Sequence, residues 1–168
     1  METDKQLIDK LIGKKVLEID DGPFKKEHSI SAVTSFIKKS LPKAKLVPII
    51  FKFYTPTEKV RSLAQELSRL NQDKTLVIAS VDFSHFQPAL AAQFHDELSA
   101  EVIESFSLDE VSKLEIDSPA SIYVLLSYLE GKGARKSQRL VSSNSAILTN
   151  DPKIAETTSY LLEYFTKG

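Results

Sequence analysis

The run Thr75-Leu76-Val77-Ile78-Ala79 passes directly into Ser80-Val81-Asp82-Phe83-Ser84-His85-Phe86. An apolar, β-branched stretch of this length is too short for a typical helix and does not alternate. It therefore predicts a strand buried on both faces, central in its sheet, with helices on either side. Such a strand ends in an aspartate, a serine and a histidine. In an open α/β sheet, ligands gather at the carboxyl ends of central strands, so this polar tip is the first place to look for chemistry.

The rest of the chain alternates helix and strand signals, which predicts a layered α/β/α fold with a mixed, mostly parallel central sheet. Asp4 to Ile12 reads as a short helix stopped by Gly13, and Lys15 to Ile19 as a strand leading to the turn cluster Asp20-Asp21-Gly22-Pro23. Ile30, Val33, Phe36, Ile37 and Leu41 keep helical spacing up to Pro42. Leu46 to Phe53 reads as a strand in which Pro48 marks an edge or bulge. Thr57 to Leu70 is an amphipathic helix with Thr57 at its N-cap. A long helix follows Gln87-Pro88 and runs through Phe106, and another spans Pro119 to Leu129. Strands are expected near Arg139 to Thr149 and Ser159 to Phe165. No repeat or linker interrupts the pattern, and one domain over residues 1–168 is expected.

Composition narrows the function classes. Lys+Arg number 22 against Asp+Glu 23, a net charge of -1, so no global field points to nucleic acid or a membrane. The lysines of the N-terminal third are scattered and lack interleaved aromatics, as on a solvated surface. Cysteine is absent, which removes disulfides, thiolate metal sites and a cysteine nucleophile. The charged start, METDKQLIDK, has no signal-peptide core, and a cytoplasmic location is the expectation.

Three helix entrances carry side chains able to act as acid, base or ligand. The first is Glu27-His28-Ser29, the second Asp82-Phe83-Ser84-His85, and the third Asp117-Ser118-Pro119. Helix capping accounts for each aspartate, glutamate or serine taken alone. It does not account for His85, a residue type suited to acid/base work, with Asp82 three residues away. A serine hydrolase is disfavoured, since Ser84 and His85 are adjacent on an extended segment and no G-x-S-x-G elbow is present.

In order, EHSI (Glu27 to Ile30), LVPI (Leu46 to Ile49), LVIASVDFSHF (Leu76 to Phe86) and SSNSA (Ser142 to Ala146) resemble the Memo family. That family includes the AmmeMemoRadiSam system protein B proteins and is similar in fold to the class III extradiol dioxygenases, which use non-haem iron(II). The resemblance extends over essentially the whole chain, which corresponds to the C-terminal part of the family. The P-H-A-G and G-P-x-H motifs, which carry two metal histidines in the family, have no counterpart here. Asp117 stands where the family often has a cysteine. Val81, Ser31 and Ala146 replace a serine, a glutamate and a glycine of the usual motifs.

The resemblance implies that His85 acts as acid/base with Asp82 as its orienter. It implies that Glu27, His28, Ser84 and Asn144 line a pocket, and that Asp117 is a metal ligand. Iron(II) or copper would bind only if another chain completed the set, because a facial triad needs three protein ligands. The expected partner is a second copy or another protein covering the missing half, with Phe51, Phe53, Tyr54, Tyr160, Tyr164 and Phe165 as candidate contacts. The expected activity is that of a metal-dependent oxidoreductase inactive by itself, or else of a non-catalytic interaction module.

Overall fold

The computed structural model describes residues 1–70, 75–151 and 153–168. Helix α1 (Lys5–Gly13) starts at Asp4, whose side chain accepts the Leu7 amide at 3.1 Å. Helix α2 (Ser29–Ser40) buries none of its residues. Helix α3 (Thr57–Arg69) begins one position earlier than its sequence signal, with Pro56 rather than Thr57 at the N-cap. Its Val60, Leu63, Ala64 and Leu67, at i, i+3, i+4 and i+7, are all buried.

Helix α5 (Pro119–Gly131) packs against α3. The two approach closely where a Cβ on Gly131 would stand 2.9 Å from the Ser68 Cβ. Ser68 Oγ donates to Ala64 O at 2.8 Å and reaches Ser127 O at 3.3 Å, so it straddles the crossing. Gly133, at φ +66°, turns the chain beyond α5 and lets the Ala134 amide return to Leu129 O at 2.9 Å. Leu11, the α3 stripe, Phe83, Ile103, Phe106 and the inner face of α5 form one contiguous core cluster.

Strands β1 (His85–Gln87), β2 (Lys136–Asn144) and β3 (Thr157–Thr166) form an antiparallel sheet in the order β1-β3-β2. Helix α4 (Ala89–Glu104) lies against it, burying Ala92, Asp96, Ser99, Ala100 and Ile103. A short helix α6 (Ser145–Thr149) separates β2 from β3.

The fold is thus mixed helix and sheet, but the mostly parallel central sheet expected from the sequence is corrected to a small antiparallel one. Among the described residues, Lys15 to Ile19, Leu46 to Phe53 and Thr75 to Ala79 form no named strand. The single parallel pairing is the isolated bridge between Thr3 and Leu46. The cause lies in how these segments bury their side chains. Val47, Ile49 and Phe51, and likewise Val77, Ala79 and Val81, pack on the helical core by alternation. The opposite face of the second segment stays open, with Leu76 67% and Ile78 49% exposed, whereas Pro48 and Ile50 of the first are half-buried. Burial of the second segment is one-sided where an apolar run predicts two. The antiparallel pair forms instead where the connection is short and local. The strand expected over Arg139 to Thr149 also stops at Asn144, because the Asn144 side chain accepts the Ile147 amide at 3.0 Å and caps α6.

Candidate functional site

The polar tip of the SVDFSHF segment is held from three directions. The buried Ser84 amide donates to Asp96 Oδ1 of α4 at 3.2 Å, and Ser84 O accepts the Ser159 amide of β3 at 2.8 Å. Four residues earlier, Ser80 Oγ donates to Ser29 O at 2.9 Å, tying the segment to the start of α2. On the other side, the Asp117 amide donates to Asp82 O at 3.1 Å. Segments distant in sequence therefore meet at this strand end.

Within β1 the pairing is irregular: His85 faces Thr158 and Gln87 faces Thr157, which leaves Phe86 as a bulge. Phe86 sits at φ 56°, a left-handed conformation that costs an aromatic residue about 1–2 kcal/mol. Its exposed ring packs edge-on against the His85 ring at 4.7 Å between centroids. The bulge re-aims the strand as it leaves the sheet, and His85 points toward the 115–117 segment.

His85 Nε2 lies 3.3 Å from Asp117 Oδ1, and His85 Nδ1 lies 3.3 Å from Phe83 O. Both neighbours are acceptors, so only a ring with protons on both nitrogens satisfies both. The pair is roughly half-exposed, which limits its contribution to stability to about 0–1 kcal/mol. Its value is orientation of the ring, and a proton at Nε2 has an acceptor in place.

The structure brings His85 and Asp117 together, and the carboxylate that contacts the ring is Asp117. Among the described residues no hydrogen bond joins the Asp82 carboxylate to His85; Asp82 contributes its backbone carbonyl to Asp117 instead. Glu27 caps α2, accepting the Ile30 amide at 3.1 Å and, through short contacts, the Ser29 amide and hydroxyl. Burial works to raise the Glu27 pKa, but these hydrogen bonds and the nearby His28 outweigh it and hold the carboxyl below its usual range. His28 is exposed at the N-cap of α2. Asn144 is buried as the cap of α6. Among the described residues, Ser84 Oγ is buried with no hydrogen-bond partner, as is Ser159 Oγ on the adjoining strand.

Four contributors escaped the sequence reading. Asp96, 8% exposed, anchors the site strand from α4. Gln87 Nε2 donates to Glu115 Oε2 at 2.7 Å, and His95 Nε2 lies 3.7 Å from the same oxygen. A second imidazole–carboxylate pair therefore stands beside the first. One signal was available: Ile116 is apolar and buried, so Glu115 and Asp117 at i and i+2 emerge together on the other side.

Iron(II) and copper sites of the facial type require three protein donors. Here the His85 and Asp117 donor atoms face one another, and among the described residues no group of three His, Asp or Glu side chains is placed to hold a metal. The residues of this chain alone do not fit such a centre.

A MEMO1 family protein of Pyrobaculum aerophilum is 32% identical over 128 residues, covering 74% of this chain and 44% of that protein. One from Methanococcus maripaludis is 27% identical over 164 residues, covering 90% of this chain and 58% of its own length. One from Aquifex aeolicus is 29% identical over 133 residues, covering 70% of this chain and 35% of its own. The chain thus spans about half the length of the curated relatives it matches. No solved structure gives a significant match. The family profile described as Memo-like protein matches residues 1–158, and the chain belongs to that family.

Proposed function

We propose that this chain carries one acid/base corner of a metal-dependent oxidoreductase site and is inactive until a second polypeptide completes the site. The observation that carries this reading is the His85–Asp117 contact of 3.3 Å, presented half-exposed at the start of β1. The imidazole is the group able to move a proton in the neutral range, and Asp117 orients it. The likeness of the Memo family to extradiol dioxygenases supports the reaction class. The completing chain would cover the open face of the Thr75–Ala79 segment and so supply the third layer of an α/β/α arrangement. Among the described residues no helix is long and apolar enough to cross a membrane, and the net charge of -1 does not favour nucleic acid, so a protein is the proposed partner.

Anaerobic titration of the purified chain with iron(II), copper and zinc tests the reading, with His85→Ala and Asp117→Ala as controls and sedimentation measured in parallel. The expected result is weak or no binding by the monomer. Stoichiometric binding, lost in both variants, should appear only in an assembly. Tight binding by a monomer would refute the need for a second chain.

A second reading is favoured by one specific observation. Ile19, Phe36, Leu76 and Ile78 are large apolar side chains left exposed. A non-catalytic interaction module would show assembly that His85→Ala leaves unchanged and no metal binding in any state.

A further inference from the structure

Glu163 of β3 stands directly opposite Arg139 of β2 in the antiparallel register. A cross-strand ion pair is the expected outcome of that placement. Arg139 turns away from it. Its Nη1 donates to Glu97 Oε2 at 2.8 Å, while Nε and Nη2 donate to Glu104 Oε1 at 2.9 and 2.6 Å. Among the described residues both Glu163 carboxylate oxygens are buried and lack a hydrogen bond of ordinary geometry, with the Ser137 hydroxyl nearby. Three carboxylates therefore converge on one guanidinium that is already fully engaged by α4. A cavity of about 470 Å³ opens beside them, lined by Phe94, Glu97, Leu98, Glu101, Glu104 and Arg139.

A buried carboxylate without a donor is costly when ionised and tolerable when protonated. We propose that Glu163, Glu104, Glu97 and Arg139 form a proton-operated latch that ties α4 to the β2–β3 pair. With a proton on Glu163, Arg139 is free to clamp both glutamates of α4. When the proton leaves, Glu163 repels Glu104 and competes for the same guanidinium, and the clamp loosens.

The groups acting on Glu163 are Glu104 from α4 and Arg139 with the Ser137 hydroxyl from β2, and Glu97 of α4 is tied to them through Arg139. Burial, then the Glu104 charge, push the Glu163 carboxyl up to about 7, against the opposing pull of Arg139 and Ser137. The folded pKa thus lies above the usual carboxylate value. The associated stability is complete in acid below that usual value and is lost as pH rises through about 7. Because α4 also carries Asp96, the latch and the anchor of the His85 strand share one helix.

Hydrogen–deuterium exchange of the full chain, with chelator present and intrinsic rates corrected, tests the latch between pH 5.5 and 8.5. In the parent, opening of residues 97–104 and 136–144 should increase by about tenfold per unit of pKa elevation realised. Glu163→Gln, which keeps the shape of the protonated acid, should flatten that dependence and remain protected at pH 8.5. Equal pH dependence in parent and variant would overturn the proposal. Should Glu163→Gln fail to fold, Glu104→Gln carries the test: its transition should move to lower pH, and an unmoved transition would overturn the proposal equally.

Discussion

The anchor beneath the candidate site lends itself to a quantitative prediction. Asp96 is 8% exposed and accepts the amide of Ser84, itself 1% exposed, at 3.2 Å. A hydrogen bond to a charged acceptor contributes about 1.5–3 kcal/mol, and a buried amide left without an acceptor costs about 1–3 kcal/mol. These describe the same loss from two sides and do not add. Asp96→Ala should therefore destabilise the protein by about 2–3 kcal/mol. Asp96→Asn keeps an oxygen in place and should cost about half as much. In urea, the midpoint should fall without a change in slope. In a thermal scan, about 2 kcal/mol corresponds to a drop of roughly 4–8 °C for a domain of this size. Amide exchange at Ser84 should accelerate more than exchange in the core of α5, since the lost bond is local. A change within about 0.5 kcal/mol for Asp96→Ala, the scatter of ordinary surface substitutions, would refute the idea that α4 holds the site strand through this carboxylate.

Two further substitutions probe positions where backbone geometry decides. Gly131→Val should destabilise by about 1–3 kcal/mol, because the new Cβ meets Ser68 Cβ at 2.9 Å across the α3–α5 crossing, and urea midpoints would show it. At φ 56°, Phe86→Gly should leave stability within about 1 kcal/mol of the parent, as relief of strain offsets the entropy of glycine, whereas Phe86→Val should be clearly worse than either. Equal stabilities for the glycine and valine variants would show that the bulge does not persist in solution.

Helices were the legible part of this chain. The α3 stripe of Val60, Leu63, Ala64 and Leu67 is written at helical spacing, and its burial follows from that spacing. Proline and serine at the start of α5, and glycine beyond its end, carry the same information in local chemistry. Strands were less legible because their definition is non-local. Leu46 to Phe53 and Thr75 to Ala79 have the composition of strands, yet strand character requires a ladder, and no local signal specifies who supplies it. The end of β2 at Asn144 shows the reverse case. The motif SSNSA contains a helix cap, and capping competes with sheet pairing wherever an asparagine side chain can reach an amide three residues on.

The same division runs through the candidate site. His85 was identifiable because its address follows from the apolar run before it. Its partner was not, because sequence proximity favours Asp82, whereas the bulge at Phe86 and the bond from the Asp117 amide to Asp82 O bring in a carboxylate 32 positions downstream of the histidine (117 less 85). Asp96 was missed for a related reason: an aspartate inside a helix reads as solvated surface unless a strand amide is known to end against it. The open apolar faces of Leu76 and Ile78 and the two-donor pair at His85 then pose one physical problem at two scales. Under the proposed function, each is a set of groups that a partner would complete. If one partner supplies both complements, burial of the apolar faces and assembly of the site should occur together. Metal affinity would then rise with protein concentration along the same curve as assembly, and two separate curves would show that the faces and the site answer to different partners.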